Sequence, residues 1–561
     1  MVSKKCSIFI SLLFLLFSLV SFSSFSQQDT LFYRITFTDK AFSSFDVNNP
    51  SEFLSQRAIA RRSKFNIAIT SQDLPISQFY LDSILSFSSV EWKNQSKWFN
   101  SVIITCRDTN DINLIAAMSF VESSVQTKIN VSHRSLKFDE LRTEEKEVVN
   151  VNIHYPYGIT YNQNHLHKID YLHDMEFKGQ GIHIAVIDAG FENANSLIGL
   201  EHLFNENRIL STKDFVTHDG DVYLDHFHGA AVLSVIAGKI EGQFFGTAPK
   251  ASFHLLRSED ADAEYILEED YWVSAAEYAD SAGADIINTS LGYTTFDDST
   301  TNHSYSELDG NTTIIARASN IAVTKGMFLC TSAGNLGDSN WGHISTPADA
   351  DDVLTVGAID SLGIRGSFSS YGLSADGDIK PNVMSVGHNC YLIAPWDGTI
   401  IRGNGTSFSS PMMAGMVACL WQALPDVNNE QLKQLIEESS HQYSNPDSLM
   451  GYGIPDFYAA YTKESGVTFL RSTNLKVHSI YPNPKTKDEE LNLLLSSHIS
   501  QEITLSLIDA MGRIVHSFPF QLEEGKNFVN ITQWKSLSSG AYRVQLKDAK
   551  EDLIYLPLII H

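Results

Sequence analysis

From Gly181 onward the chain carries short apolar runs without polar alternation: Ile182 to Ile187, Asp285 to Ile287, Met327 to Cys330 and Val353 to Val356. A strand with one wet face alternates, so runs like these belong to strands covered on both faces. Helically spaced stretches separate them, among them Ala230 to Ile236 and Tyr271 to Ser281. Covered strands alternating with helices specify an α/β domain, a parallel sheet with helices on each side. The pattern closes near Lys463.

The flanks differ from this centre. Residues 30 to 145 mix alternating runs (Leu31 to Phe37, Ser101 to Thr105) with a helix-like stretch from Pro50 to Arg62, the texture of a small α+β domain. A charged segment, Leu141 to Val149, reads as an exposed linker. After Asn474 helical signals stop. Leu491 to Leu495, Ile503 to Ile508, Phe528 to Ile531 and Tyr542 to Leu546 are strand-like, divided by turn signals at Met511-Gly512 and Ser539-Gly540, which predicts a β-sandwich. At the start, Lys4 and Lys5 precede an apolar run from Ile8 to Val20 and small residues Ser24 and Ser26. This reads as a signal peptide rather than an anchor, because the run is too short for about 30 Å of hydrocarbon. The expected division is a signal peptide at 1–26, an α+β domain at 27–150, the α/β domain at 151–463 and a β-sandwich at 474–561. Three or four units also suit a length of 561 residues.

A formal net charge of -26 leaves no basic face to meet phosphates and argues against nucleic-acid binding. Once Cys6 leaves with the signal, Cys106, Cys330, Cys390 and Cys419 are too few and too scattered for a disulfide framework. Cys330 and Cys419 lie inside apolar runs and read as small buried hydrophobes.

Four segments gather reactive residues. In GQGIHIAVIDAGF, Gly179 to Phe191, an apolar strand ends in Asp188, and ligands of open α/β sheets collect at the carboxyl ends of strands. In HGAAVLSVIAG, His228 to Gly238, a histidine opens a helix of small residues, where the helix dipole favours the neutral imidazole that a general base requires. In GTSFSSPMMAG, Gly405 to Gly415, Ser407 starts a long apolar helix whose first N–H groups can face a developing oxyanion. In MFLCTSAGN, Met327 to Asn335, a buried strand ends in a turn presenting Asn335, whose amide can donate to the same oxyanion. Each segment alone has a plain structural use, as a turn cap, an N-cap or a turn asparagine. Their order decides. An α/β-hydrolase runs serine, acid, histidine around Gly-x-Ser-x-Gly, and a chymotrypsin-like chain puts histidine first. Here the order is acid, histidine, serine, and Gly405-Thr406-Ser407-Phe408-Ser409 lacks the second glycine.

Residues 165 to 462 resemble the subtilisin-like serine proteases of the S8 type. Gly246-Thr247-Ala248-Pro249, GADIINTSLG from Gly283, SFSSYG from Ser367, Lys380-Pro381 and GYGIPD from Gly451 carry the resemblance alongside the reactive segments. It implies a subtilisin-like serine endopeptidase with Asp188, His228 and Ser407 as triad and Asn335 as oxyanion donor. It also implies a groove walled by Ser290-Leu291-Gly292 and Ser332-Ala333-Gly334, holding the peptide as an added strand. Ala230 and Ala231 replace the usual threonine and histidine, Ser409 an alanine and Asn382 an aspartate; these read as packing variants. Residues 27 to 150, notably LSQRAIARRSKF from Leu54 to Phe65, resemble a subtilase propeptide, with Arg57, Arg61 and Arg62 suited to docking on an acidic catalytic domain. YPNP from Tyr481, LIDAMGRIV from Leu507 and LSSGAYRVQL from Leu537 resemble a type IX secretion sorting domain, although the closing YLPLIIH lacks the usual basic residue.

The expected partners are polypeptide substrates, the chain's own propeptide and the type IX secretion machinery. The expected state is a monomer, made as a zymogen and secreted or attached to a bacterial surface after outer-membrane export. No cofactor is required. Calcium is frequent in the resembling family, but Asp260, Asp262, Glu264, Glu268, Glu269 and Asp270 read as a solvated acidic loop, and no metal ligand is assigned. A broad protease, a narrow processing protease and an inactive surface-binding protein all remain open on these residues.

Overall fold

The computed structural model describes residues 31–128, 156–466, 475–497, 499–534, 537–548 and 553–561. The expected signal peptide and the 141–149 linker lie outside them. In the front domain β1 (Leu31–Phe37), α1 (Gln56–Lys64), α2 (Gln78–Leu85), β2 (Val90–Ser96), β3 (Ser101–Cys106), α3 (Thr109–Ala116) and β4 (Val121–Lys128) follow one another. The strands form an antiparallel sheet in the order β2-β3-β1-β4. Ser55 accepts from Ala58 N at 3.2 Å and caps α1. Expected to alternate, β3 is instead buried along its whole length. Its period of two explains this: Val102 and Ile104 face α2 and α3, while Ile103 on the other side joins the core of the central domain. The front sheet is therefore covered on both faces at β3, while the edge strand β4 stays largely exposed.

The central domain is built on seven parallel strands, β5 (His183–Asp188), β6 (Ile209–Asp214), β7 (Ser252–Arg257), β8 (Ile286–Thr289), β9 (Phe328–Ser332), β10 (Leu354–Ile359) and β11 (Val383–Val386). Their spatial order is β11-β10-β9-β8-β5-β7-β6. The chain leaves β5 toward one edge, returns, and continues on the other side, so the sheet has its switch point beside β5. Helices α4 (His228–Ala237) and α7 (Thr406–Ala423) cover one face. On the other lie α5 (Leu267–Ala282) and α6 (Ile314–Thr324). Along β5, Ile184 and Val186 enter the first core, Ala185 and Ile187 the second. That division is what the uninterrupted apolar runs require.

The tail has two antiparallel sheets. One is β12 (Leu475–Tyr481), β13 (Leu491–Ser497) and β16 (Gly525–Ile531), with β13 central; the other runs β15 (Ile514–Leu522), β14 (Gln501–Ile508), β17 (Gly540–Lys547), β18 (Leu553–Ile560). Leu491, Leu493, Leu495, Leu505, Leu507, Val544 and Trp534 form their shared core. β13 alternates buried and half-buried residues, as a strand with one covered face does. Among the described residues no helix is long and apolar enough to cross a membrane.

Candidate active site

Asp188 ends β5 at the switch point and is fully buried. Its Oδ1 accepts from Ala189 N at 2.8 Å and pairs with His228 Nδ1 at 2.7 Å. His228, 7% exposed, is the first residue of α4. The bond on Nδ1 turns the other ring nitrogen away from the carboxylate. Gly229 makes this approach possible: a β-carbon there would meet Gly190 O at 2.4 Å and Asp188 Cβ at 3.0 Å.

Ser407 is the second residue of α7, half-buried, and follows Gly405 at the N-cap. The imidazole ring lies 6.2 Å from the ring of Phe408, the next residue along α7. Ser407 Oγ donates to Ser290 O at 3.2 Å, and Ser290 Oγ donates to Ser407 O at 3.0 Å. Pro411 stands four residues on and has no N–H to give to Ser407 O, so Ser290 supplies the donor that the helix lacks. Asn288 Nδ2 donates to Ser290 Oγ at 3.0 Å and Ser410 Oγ to Asn288 Oδ1 at 2.9 Å, tying β8 to α7 through a buried polar chain. Sequence reasoning did not reach Asn288 or Ser410, although both lie inside quoted segments.

Asn335 is exposed in the turn after β9. Its Oδ1 accepts from Thr406 N at 2.8 Å and Thr406 Oγ1 at 3.0 Å. This fixes the amide orientation and leaves Nδ2 on the side of Gly405 and Ser407. The expected walls follow neighbouring strands. Ser290, Leu291 and exposed Gly292 leave β8; Ser332 ends β9 and Ala333 and Gly334 follow it. Ser332 Oγ reaches Leu291 O at 3.4 Å and Gly334 N donates to Thr406 Oγ1 at 3.1 Å. The structure thus brings every residue singled out for catalysis or the groove to the carboxyl edge of β5, β8 and β9 and the start of α7.

The departures from the family pattern have partners too. Ala230 and Ala231 are fully buried in the core between α4 and the sheet. Ser409 Oγ bonds Thr406 O at 2.9 Å, and Asn382 accepts from Thr355 N at 2.8 Å while donating to Glu437 at 3.0 Å, which an aspartate could not do. Cys106, Cys330, Cys390 and Cys419 are free and buried, and burial pushes the last three thiols up.

The acidic run is only in part the solvated loop expected: Asp260 is half-buried and Asp262 exposed in the loop, whereas Glu264 is buried. Glu268, Glu269 and Asp270 occupy the first turn of α5 and are buried. Glu268 accepts from Asp260 N at 2.7 Å and Tyr265 N at 3.2 Å, Glu269 pairs with His303 at 2.5 Å, and Asp270 binds Arg34 through two bonds of 2.6 Å. A helix N-terminus favours acids in its first turn, and these carry their own partners. Among the described residues a different trio, Asp351, Asp376 and Asp378, brings three carboxylates within 4.8 Å of one another, two of them exposed.

Arg57, Arg61 and Arg62 meet the central domain as expected. Arg61 pairs with Asp280 at 2.5 Å, Arg62 with Asp280 at 2.8 Å and Asp73 at 3.2 Å, and Arg57 with Asp285. Lys97 and Lys325 complete the cluster at 3.6 Å from Asp280 and 3.2 Å from Asp73. Burial alone would raise the Asp280 carboxyl; Lys97, Arg61 and Arg62 outweigh it and hold the group below its usual range. Glu277, nearby on α5, accepts from Ser96 Oγ, Lys97 N and Trp98 N at 2.5–2.9 Å.

A buried carboxylate bonded to an imidazole, with a helix-borne serine at the edge of the same parallel sheet, is the residue set from which serine acyl-transfer sites are built. Residues 179–453, just under half of the chain, match the model of the Subtilase family. Residues 32–146 match the peptidase S8 propeptide domain of Bacteroidota, and 479–560 the secretion system C-terminal sorting domain. The thermophilic serine proteinase of Bacillus sp. (strain AK1) is 30% identical over 301 residues, covering 52% of this chain and 65% of that protein, just under two thirds of its length. Subtilisin of Bacillus pumilus is 28% identical over 312 residues, 54% of this chain and 98% of that one. The crystal structure of MycP1 with its N-terminal propeptide removed aligns with TM-score 0.42 at 24% identity, over 54% of this chain and 96% of that chain.

Proposed function

We propose that this chain is a serine endopeptidase, made with an inhibitory propeptide and exported through its sorting domain, that hydrolyses peptide bonds through an acyl-enzyme on Ser407. The observation that carries the reading is the buried 2.7 Å pair between Asp188 and His228, set beside the start of α7. Ser407 Oγ leaves Ser290 O and attacks the substrate carbonyl as His228 takes its proton. Asp188 keeps the imidazole oriented and stabilises its charged form. Asn335 Nδ2 and Ser407 N donate to the oxyanion. Collapse of the intermediate breaks the C–N bond while His228 passes the proton to the leaving amine. Water, deprotonated by the same imidazole, then releases the acid. The groove walls hold the acyl half of the peptide as an added strand.

The sorting domain supports export to the outside of the cell or its surface, and the type IX route across an outer membrane is the reading it favours. Labelling by a fluorophosphonate tests the reaction. Wild-type protein should label and cleave peptides, and Ser407→Ala should do neither while retaining its propeptide. A folded wild-type protein, free of its propeptide, that neither labels nor cleaves would overturn the proposal.

A further inference from the structure

The rim beside His228 carries aromatic rings that the chemistry above leaves unused. Phe227 immediately precedes His228, and its ring meets that of Trp396 edge-on, at 6.2 Å between centroids and 80° between planes. Trp396 is 49% exposed, and Leu224, three residues before Phe227, is 82% exposed. An exposed indole paired with a second ring beside the imidazole is apolar surface suited to binding.

Trp396 is held in position. It stands at the tip of a hairpin whose strands are Cys390–Ile393 and Ile400–Gly403. Across that tip Asp397 Oδ1 accepts from Thr399 N at 3.0 Å and Thr399 Oγ1 at 2.6 Å, while Ala394 N donates to Thr399 O at 2.8 Å. The hairpin is tied to the helix that begins at His228, because Ile393 N donates to Ser234 Oγ at 3.0 Å. It then runs directly into Gly405 and Ser407. The hairpin tip that carries Trp396 is thus tied to the helix of His228 and leads along the chain to Ser407.

Which half of the substrate passes here follows from the proton's path. Asn335 and the walls after β8 and β9 hold the acyl half. The leaving amine must approach His228 to receive its proton, so the residue on that amine passes the side chains flanking His228. We propose that Phe227 and Trp396 form the subsite for the residue immediately following the scissile bond, and that it selects large apolar or aromatic side chains. This inference rests on the peptidase reading and names a specificity of the same site.

Acyl transfer to added amines reads the subsite directly. The amine of an amino-acid amide attacks the Ser407 ester; its N–C bond forms as the Oγ–C bond breaks, and its proton returns to Oγ through His228. The amide's side chain then occupies the leaving-group position. With the secreted enzyme and a peptide methyl ester, phenylalaninamide and leucinamide should intercept the acyl-enzyme about tenfold better than glycinamide, the gain expected from burying one large apolar side chain. Trp396→Ala should bring the three within about twofold of one another. Trp396→Glu should turn the preference toward argininamide and serves as the second variant. Equal interception by the wild-type enzyme, or an undiminished aromatic preference in both variants, overturns the subsite while leaving the peptidase standing. Failure to hydrolyse the ester at all removes the peptidase reading and the subsite with it.

Discussion

A β-carbon placed on Gly405 would lie 3.5 Å from Asn335 Nδ2 and 3.7 Å from Ser407 N, filling the space between the two proposed oxyanion donors while clashing with neither. The backbone at Gly405 is extended, φ 161°, so other residues can adopt it. Gly405→Ala is therefore expected to fold with an unchanged Tm and to lose kcat by obstructing the pocket. Calorimetry beside steady-state kinetics checks this, and a large loss of Tm would mean a packing role instead. Asn335→Ala removes a donor outright. In subtilisin itself such a loss costs about 10²–10³ in kcat, and the same fall with little change in KM is expected here. The candidacy of Asp188, His228, Ser407 and Asn335 was legible from their flanking residues and order. Thr406 and Asn288 were not, because a residue that orients another leaves no mark until both are seen in contact.

At the scale of elements, α1 and α5 meet through charges removed from water. Arg61, Arg62, Asp73 and Asp280 are all at least 95% buried. Removing one partner of such a group leaves the others uncompensated, at a cost of about 3–5 kcal/mol. Arg62→Ala, introduced into a Ser407→Ala chain that keeps its propeptide, should lower stability by that order, read as a fall in Cm on urea unfolding. A change below about 0.5 kcal/mol, the level of an ordinary surface substitution, would show that the cluster contributes nothing to docking. The sequence disclosed the basic half of this contact through the run around Arg57, Arg61 and Arg62. Its acidic half, spread over Asp270, Glu277 and Asp280, was hidden, since a helix with acids on one side looks alike whether water or a second domain covers it.

Across the whole molecule, burial holds several histidines neutral. His167 and His173 are pushed down to about 4 by loss of hydration, and His167 is fully buried between Pro455 O at 3.1 Å and Ser385 Oγ at 3.0 Å. An unfolded histidine titrates near 6.5, so between about pH 6.5 and 4 the unfolded chain binds more protons than the folded one. Stability is present above the unfolded value and is lost as pH falls through that window. The urea midpoint should drop steadily from pH 7 to 4.5, and a flat profile would contradict the burial argument. Truncation after Ser465 removes the sandwich, whose core is its own. The shortened protein should keep fluorophosphonate labelling in cell extracts and be lost from the medium.

By itself the sequence determined the three textures of the chain, the strands buried on both faces and the four reactive segments with their order. Periodicity and local chemistry are written along the backbone, and each needs only a few neighbouring residues to express it. Tertiary structure alone decided which surfaces meet. It turned an alternating strand, β3, into a fully buried one, drew an acidic run into ion pairs, and set Trp396 beside Phe227 across 169 residues of chain. Those outcomes depend on contacts between distant segments, and a contact belongs to two places in the sequence at once.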